Sequence, residues 1–184
     1  MSTLTVNDRG LRTGTWEIDP GHSLVELTVR HLMVSKVKGR FDRFSGAITV
    51  GEDPASSSVH AVIETDSVNT NDANRDEHLR SADFFDVERY PTAEFVSRQV
   101  TERGDGWAVV GDLTLHGVTR ELVLDLEFNG VSSDPFGGTR AGFSATTEIN
   151  RRDFGIDLSM PLDSGGVVVG DKVKVNLEIE AVAK

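Results

Sequence analysis

The chain has 184 residues, 38% of them hydrophobic, and a formal net charge of −11 from 30 acidic and 19 basic side chains. This length fits one domain that buries most of its apolar surface, and the absence of cysteine excludes disulfides and thiolate sites. The acidic balance disfavours nucleic-acid binding and electrostatic attachment to anionic membranes, and no apolar run is long enough to predict membrane insertion.

Residues 1–12 are mostly polar and lack the apolar core of a signal peptide. We interpret them as a flexible N-terminal extension that precedes one domain over residues 13–184. No linker, internal repeat or low-complexity tract divides that domain. In the absence of a targeting segment, we expect the protein to reside in the cytoplasm.

Alternation of apolar and polar residues, which is typical of half-buried strands, begins near residues 15–18 and becomes regular over residues 23–31. One face of this second run carries Val25, Leu27, Val29 and His31. Less regular strand-like runs follow at residues 44–50, 59–65 and 92–100. These runs predict the strands of the first half of the chain.

The second half of the chain alternates more cleanly and contains four further predicted strands. Their apolar faces carry Trp107, Val109, Leu113 and Leu115; Leu122, Leu124, Leu126 and Phe128; Phe143, Ala145, Thr147 and Ile149; and Val173, Val175, Leu177, Ile179 and Ala181. Turn signals at residues 51–54, 103–106, 129–130, 134–138 and 163–166 favour hairpins between strands. Eight or nine strands joined in this way predict an all-β fold with an antiparallel sheet, and closure into a barrel of about eight strands removes exposed edges.

The segment near residues 75–85 breaks the alternation and predicts a short crossover helix over one end of the barrel. Asp72 or Asn74 fits the N-cap position. The apolar side of this helix would comprise His78, Ala82 and Phe85, with Leu79 beside them. Pro91 then restores extended chain.

Four charged or titratable residues stand side by side in this helix, from Arg75 to His78, and suggest an acid–base site. Neighbouring side chains on a helix point about 100° apart, so the four diverge rather than converge on one substrate. We therefore interpret them as surface charges of a structural helix.

Several distinctive sequence blocks follow one another along the chain. They are WEIDPGHS (16–23), VRHL (29–32), GRFDRFSG (39–46), RDEHLRSADFFD (75–86), YPTAEF (90–95), GDLTLHGVT (111–119), INRRDFGI (149–156) and VGDKV (169–173). In content and order these blocks resemble the YceI family of polyisoprenoid-binding proteins. The resemblance implies a single antiparallel eight-stranded lipocalin-like β-barrel with a flanking helix. It also implies a homodimer and an apolar tunnel for a long isoprenoid or fatty-acyl chain.

The inward faces and this resemblance together predict the ligand-binding residues. They are Val25, Leu27, Val29, His31, Phe41, Phe44, Leu79, Phe84, Phe85, Phe95, Leu113, Leu115, Leu124, Leu126, Phe128, Phe143, Ile149 and Arg151. A solid core without a cavity requires the same inward apolar residues, so the residues alone leave both alternatives open.

Polar candidates are few. His31 fits either a hydrogen-bonded core histidine or a partner for a ligand headgroup. Arg151 and Arg152 fit either an anion-binding pair at the barrel mouth or a strand-end salt bridge with Asp157 or Asp86. The five histidines lack the spacing of a metal site, and neither a metal nor a cofactor is expected.

These observations favour a binding protein that sequesters or transports a long-chain amphiphilic lipid, such as a polyisoprenoid, an isoprenoid quinone or a fatty acyl chain. One alternative is a barrel enzyme of isomerase or cyclase type, with His31 as its acid or base. Another is an interaction domain without a ligand. Because the inward faces offer few titratable groups, we expect no enzymatic activity.

Overall fold

The computed structural model describes residues 10–159 and 168–184, which form an all-β fold with a short α-helix. The strands are β1 (Gly14–Ile18), β2 (Leu24–His31), β3 (Ser35–Phe41), β4 (Phe44–Val50), β5 (Ser58–Glu64), β6 (Val68–Asn69), β7 (Thr92–Arg103), β8 (Gly106–Leu115), β9 (Val118–Ser133), β10 (Thr139–Asn150) and β11 (Val169–Ala183). All neighbouring strands pair antiparallel. The predicted turn at residues 163–166 lies outside the described residues.

Three pairs of short strands act as longer, interrupted strands of the barrel wall. β1 and β2 both pair with β11, and a 3-10 turn at Pro20–His22 separates them. β3 and β4 pair with β2 and β1 in the same way, and β6 continues β5 beyond a 3-10 turn at Thr65–Ser67. The wall therefore has eight consecutive positions, as predicted.

The barrel closes through β1, which pairs with β4 on one side and with β11 on the other. Closure satisfies the backbone groups that an open sheet would leave at its edges. At one end of the molecule β6 pairs with β3 alone, while β7 starts only at Thr92. Residues 70–91 connect β6 to β7 across this opening.

Helix α1 (Ala73–Arg80) lies in that connection. Asp72 is its N-cap, since its side chain accepts a hydrogen bond from the backbone N–H of Arg75 at 3.0 Å. The predicted cap is thus confirmed, but the predicted extent to residue 85 is wrong. Ser81 has extended backbone and ends the helix, and residues 82–89 form successive turns.

The strand connections divide between two ends of the barrel. The helix end carries residues 32–34, 70–91, 116–117 and 151–159, and the far end carries residues 51–57, 104–105 and 134–138. Near the far end, Leu11 packs with the buried Trp16, whose indole N–H donates to the carbonyl of Arg12 at 3.0 Å. Residues 1–9 lie outside the described part of the chain, and the flexible extension and its boundary stay predictions.

Candidate ligand-binding cavity

The inward faces of the barrel enclose a cavity of about 480 Å³. This volume falls within the roughly 300–1,000 Å³ that is typical of small-molecule pockets. Every strand position of the wall contributes lining residues, and aliphatic or phenylalanine side chains supply nearly all of them. An apolar cavity of this kind stays dry and favours an apolar occupant.

Seventeen of the eighteen residues predicted to bind the ligand line this cavity. The exception is Phe128, which lines a smaller cavity of about 70 Å³ nearer the far end, beside Leu11 and Trp107. Its ring lies 5.5 Å from that of Phe143, which borders both cavities. Phe128 and Phe143 lie directly opposite each other in the pairing of β9 with β10, so Phe128 faces inward as predicted but lies beyond the main cavity. Ligand contact by any of these residues stays a prediction.

Further lining residues come from the irregular strands of the first half, among them Val59, Ala61 and Ile63 on β5. Their period-2 spacing was the available signal, and neighbouring apolar residues on the outer face obscured it. Arg30 and Arg75 were also missed. Both are exposed, and only the three-dimensional arrangement places them at the cavity.

The mouth of the cavity lies at the helix end. Of its lining residues, the exposed ones are Arg30, Arg75 and His78. The remaining polar lining residues are His31, Thr70, Thr147 and Arg151. Within the described residues, the lining therefore contains cationic and neutral side chains but no carboxylate, although the chain as a whole carries a net charge of −11.

Arg75 and Asp76 converge on Thr70, contrary to the prediction that the charges of this helix diverge. Asp76 is buried and accepts hydrogen bonds from the Thr70 N–H at 2.8 Å and the Thr70 hydroxyl at 2.6 Å. Arg75 donates to the Thr70 hydroxyl and to the Thr70 carbonyl, both at 2.7 Å. These contacts fix α1 against the end of β6, so the prediction that this motif is structural receives geometric support.

The apolar side of this connection differs from the predicted helical face. Leu79, Phe84 and Phe85 line the cavity, but Ala82 is exposed because the helix has already ended. Phe85 packs edge-on against Phe41 with ring centroids 5.5 Å apart. A turn after a short helix, rather than a second helical turn, therefore carries the phenylalanines over the cavity.

His78 belongs to the rim of the mouth. Its Nε2 atom lies 2.9 Å from a carboxylate oxygen of Asp83, and its ring packs edge-on against Phe84 with centroids 5.0 Å apart. The imidazole is 46% exposed, so its pair with Asp83 orders the turn more than it stabilises the fold.

Arg151 is buried, and most of its hydrogen-bonding capacity is used within the chain. It donates to the carbonyls of Ile156 at 2.7 Å, Gly170 at 3.0 Å and Val169 at 3.4 Å, and lies 3.2 Å from Asp171. Burial lowers the pKa of its guanidinium.

The acid that pairs with this arginine cluster is Asp171, which also lies 2.9 Å from Arg152. The predicted partners, Asp157 and Asp86, were wrong. The signal for Asp171 was its place in the block VGDKV at the start of β11, but only the antiparallel pairing brings it to the end of β10. The salt-bridge alternative describes this pair of arginines better than a free anion site does.

His31 is the last residue of β2 and lines the cavity with a half-buried side chain. Among the described residues its ring forms no hydrogen bond or ion pair, so the expected core histidine with a satisfied ring is not what the geometry shows. A polar ring that faces an apolar cavity beside its mouth fits the headgroup alternative better.

One cluster outside the cavity has metal-ligand geometry. Ligand atoms of Asp19, His22 and Glu180 lie within 4.8 Å of one another. The guanidinium of Arg140 sits among them, with Nη1 2.7 Å from Asp19 and 2.9 Å from Glu180. Because this cation neutralises the two carboxylates, the cluster reads as an ion-pair network.

The segments around residues 90, 116 and 154 meet at the helix end. The Tyr90 ring packs on His116 with centroids 4.8 Å apart, and His116 Nδ1 lies 3.0 Å from the carbonyl of the buried Phe154. Gly117 has φ +74, and an added Cβ there would lie 2.6 Å from the Tyr90 ring. These residues hold the connections together and form a frame for the mouth.

This closed barrel, with its apolar cavity and crossover segment, has the architecture of a known protein family. The YceI-like domain model matches residues 16–181. The chain belongs to the YceI-like family. A UPF0312 protein of Vibrio cholerae is 46% identical over 141 residues, which cover 74% of each chain.

Solved structures agree with this assignment. The Campylobacter jejuni YCEI protein is 32% identical, with a TM-score of 0.70 over 84% of this chain and 90% of that one. A polyisoprenoid binding domain from Saccharophagus degradans has the same fold at 20% identity, with a TM-score of 0.69 over 94% of this chain and 100% of that one.

In the part of the chain that the structure describes, no helix combines the length and the apolar character needed to cross a bilayer.

Proposed function

We propose that this protein binds a long-chain amphiphilic lipid in the barrel cavity and sequesters or transports it. The observation that carries the proposal is the cavity itself, about 480 Å³ of space with apolar walls and polar groups grouped at its mouth. Candidate ligands are a polyisoprenoid, an isoprenoid quinone and a fatty acyl chain. All three combine an apolar chain with one polar end, as the cavity does.

The free energy of binding would come from the chain. Each methylene transferred from water contributes about 0.8 kcal/mol, so a segment of ten contributes roughly 8 kcal/mol before the ordering costs of association. No polar contact along the chain is needed. Because apolar contact supplies most of the binding free energy, the cavity should accept a class of chain-like lipids rather than one specific compound.

Family membership supports the same ligand class at the level of fold. The Saccharophagus degradans domain with this fold is a polyisoprenoid binding domain. Its identity to this chain is 20%, so the likeness concerns the architecture rather than individual contacts. The choice among isoprenoid, quinone and acyl chain is left to experiment.

We assign the headgroup to the mouth. The His31 ring lies at the cavity wall and has no hydrogen-bond partner among the described residues, and the Arg30 and Arg75 side chains stand at the opening. A phosphate, carboxylate or quinone oxygen would accept hydrogen bonds there. Arg151 would add little, because backbone carbonyls and Asp171 already occupy most of its donors.

We propose binding without turnover. An isomerase or cyclase with His31 as its acid or base needs a second titratable group that faces the same substrate atom. The described cavity lining offers no carboxylate for that role. Turnover of a candidate lipid that is lost in His31→Ala, with binding retained, would reverse this assignment.

The decisive experiment is to purify the protein from its own host, extract it with organic solvent and identify the released lipid by mass spectrometry. We expect a prenyl or acyl species in stoichiometric amount. A protein that is empty after purification and also fails to take up prenyl and acyl probes would contradict the proposal.

We also propose that the protein is a cytoplasmic homodimer. The family resemblance supports the dimer. Cell fractionation and sedimentation equilibrium test the two statements separately. A monomer at all accessible concentrations would contradict the second.

A further inference from the structure

The turn that joins β2 to β3 exposes three consecutive apolar residues, Leu32, Met33 and Val34, here called the hairpin tip. Their exposed fractions are 39%, 46% and 82%. Most apolar side chains of this size in the described chain are at least partly covered, and contiguous exposed ones typically mark an interaction surface.

The backbone of the hairpin tip is strained. Val34 donates a hydrogen bond to the carbonyl of His31 at 3.2 Å, and the two central residues, Leu32 and Met33, have φ of +52 and +61. This is the conformation of a type I′ turn, which favours Asn-Gly and disfavours bulky side chains. Strain retained at an exposed position indicates that the apolar side chains serve a purpose other than forming the turn.

Cations surround the hairpin tip. Residues 27–41 contain Arg30, Lys36, Lys38 and Arg40 but no acidic residue, in a chain with 30 acids. All four side chains are exposed. The net charge of the whole chain predicts repulsion from anionic surfaces, but the local charge of this hairpin has the opposite sign.

Two of these cations, Arg30 and Lys36, lie directly opposite each other in the pairing of β2 with β3. Side chains in such a pair have Cβ atoms about 5 Å apart, and like charges there oppose folding. Within the described residues no carboxylate pairs with either one, whereas Arg40 pairs with Asp42 at 2.7 Å. An anionic partner outside the chain would relieve this repulsion.

We propose that the hairpin tip and its flanking cations dock on the surface of an anionic lipid bilayer. Leu32, Met33 and Val34 would enter the interfacial layer, while Arg30 and Lys36 contact lipid phosphates. A symmetric contact between two hairpin tips would bring Arg30 and Lys36 against the same cations of the second copy, so an anionic bilayer is the better match for this surface.

The hairpin tip lies beside the mouth of the cavity, so docking would bring the mouth close to the membrane. His31 and Arg30, immediately before the tip, line the cavity, and Val169, opposite His31, lines it too. A docked protein would therefore hold its mouth beside the membrane, and a lipid chain would enter with little exposure to water. This transfer step rests on the proposed lipid binding, but docking itself does not.

Cosedimentation with vesicles tests docking, using delipidated protein with vesicles of phosphatidylcholine alone or mixed equally with phosphatidylglycerol. We expect binding to the anionic vesicles that weakens as salt is added. Lys36→Glu should weaken it about thirtyfold, since each unit of charge is worth roughly fivefold at the surface. The same change should stabilise the fold, because it gives Arg30 a cross-strand partner.

Two further variants separate docking from folding and from total charge. Leu32→Asn with Met33→Gly removes the apolar anchors and supplies the preferred turn residues, so we expect weaker docking with equal or higher thermal stability. Lys174→Glu places the same charge change on the side wall, where Lys174 is exposed on β11, and should leave docking within about twofold. Phe136→Ser, at the far end, should also leave it unchanged.

Several outcomes would overturn docking. They are no binding of the unaltered protein to anionic vesicles, an equal loss in Lys36→Glu and Lys174→Glu, or conversion of a dimer to a monomer by the Leu32–Met33 change without vesicle binding. Uptake of a detergent-dispersed fluorescent fatty acid is measured in parallel. Failed uptake with intact docking would contradict the proposed function alone, and intact uptake with failed docking would contradict only this inference.

Discussion

The carboxylate of Asp76 accepts two hydrogen bonds from Thr70, one from its backbone N–H at 2.8 Å and one from its hydroxyl at 2.6 Å. Both residues are buried. The carboxylate thus ties the first turn of α1 to the end of β6, in the opening where the barrel wall parts. Asp76 resembles a catalytic acid in the sequence, but in the structure its hydrogen bonds hold the helix in place.

Asp76→Ala should lower the free energy of unfolding by about 2–3 kcal/mol, because it leaves two buried Thr70 donors without their charged acceptor. Urea denaturation followed by circular dichroism measures this change. The neighbouring and exposed Glu77 provides the control, and Glu77→Ala should stay within about 0.5 kcal/mol. If Asp76→Ala left stability intact, the fastening role would be wrong.

Arg151→Met should destabilise the protein by about 2–4 kcal/mol, since it removes the donor shared by several buried carbonyl groups and Asp171. Arg152→Met is the matched control. The Arg152 side chain is 38% exposed, and among the described residues it pairs only with Asp171, so its loss should cost under about 1 kcal/mol. Similar losses from both would mean that Asp171, rather than the carbonyls, dominates. Thermal melts of the two variants separate these possibilities.

Ala145→Phe should block part of the cavity, because Ala145 is buried on β10 with its side chain toward the cavity. Displacing only two methylenes of a bound chain costs about 1.6 kcal/mol, roughly tenfold in affinity. The adjacent Thr146 is exposed, and Thr146→Phe should leave affinity unchanged. Titration with a fluorescent fatty acid measures both. Equal effects would show that the ligand binds elsewhere.

Stability should fall in acid through Asp19. The guanidinium of Arg140, followed by His22, lowers the pKa of Asp19 from 3.8 to about 2. A carboxyl whose pKa is lower in the folded state stabilises the protein above the unfolded value of 3.8, and that stabilisation disappears as the pH falls through about 2. Because Asp19 is 24% exposed, we expect about 1 kcal/mol after solvent screening.

Urea midpoints measured between about pH 4 and pH 2 test this expectation. Asp19→Asn should flatten the dependence over this range, while Asp105→Asn in the exposed turn between β7 and β8 should leave the slope as it was. An unchanged slope in Asp19→Asn would assign the acid sensitivity to other carboxyls.

Much of the fold followed from short-range pattern. The alternation of Val173, Val175, Leu177 and Ile179 identified β11 and its inward face, because side chains of a strand point alternately to opposite sides. Asp72 was recognised as a helix cap because its side chain satisfies a local backbone donor. Residues 81–85 were misassigned to the helix, since the chain turns there in response to the cavity edge rather than to local propensity.

Short-range patterns do not predict contacts between segments that are distant in the sequence. Asp171 reaches Arg151 through the pairing of β10 with β11. Phe128 faces inward opposite Phe143, as the alternation predicts, but it lines the smaller cavity because the main cavity ends before it. Neither the partner of a strand nor the extent of a cavity along the barrel is encoded in the period-2 pattern of one strand.

The sequence by itself determined the strand pattern, the apolar inward set and the family, because period-2 alternation and motif order are written along the chain. The tertiary structure decided that those inward residues surround a cavity rather than fill a core. It also decided that the hairpin tip, with Arg30 and Lys36, stands beside the mouth. Both depend on the closure of the barrel and on which strand ends it brings together, and spacing along one strand carries neither.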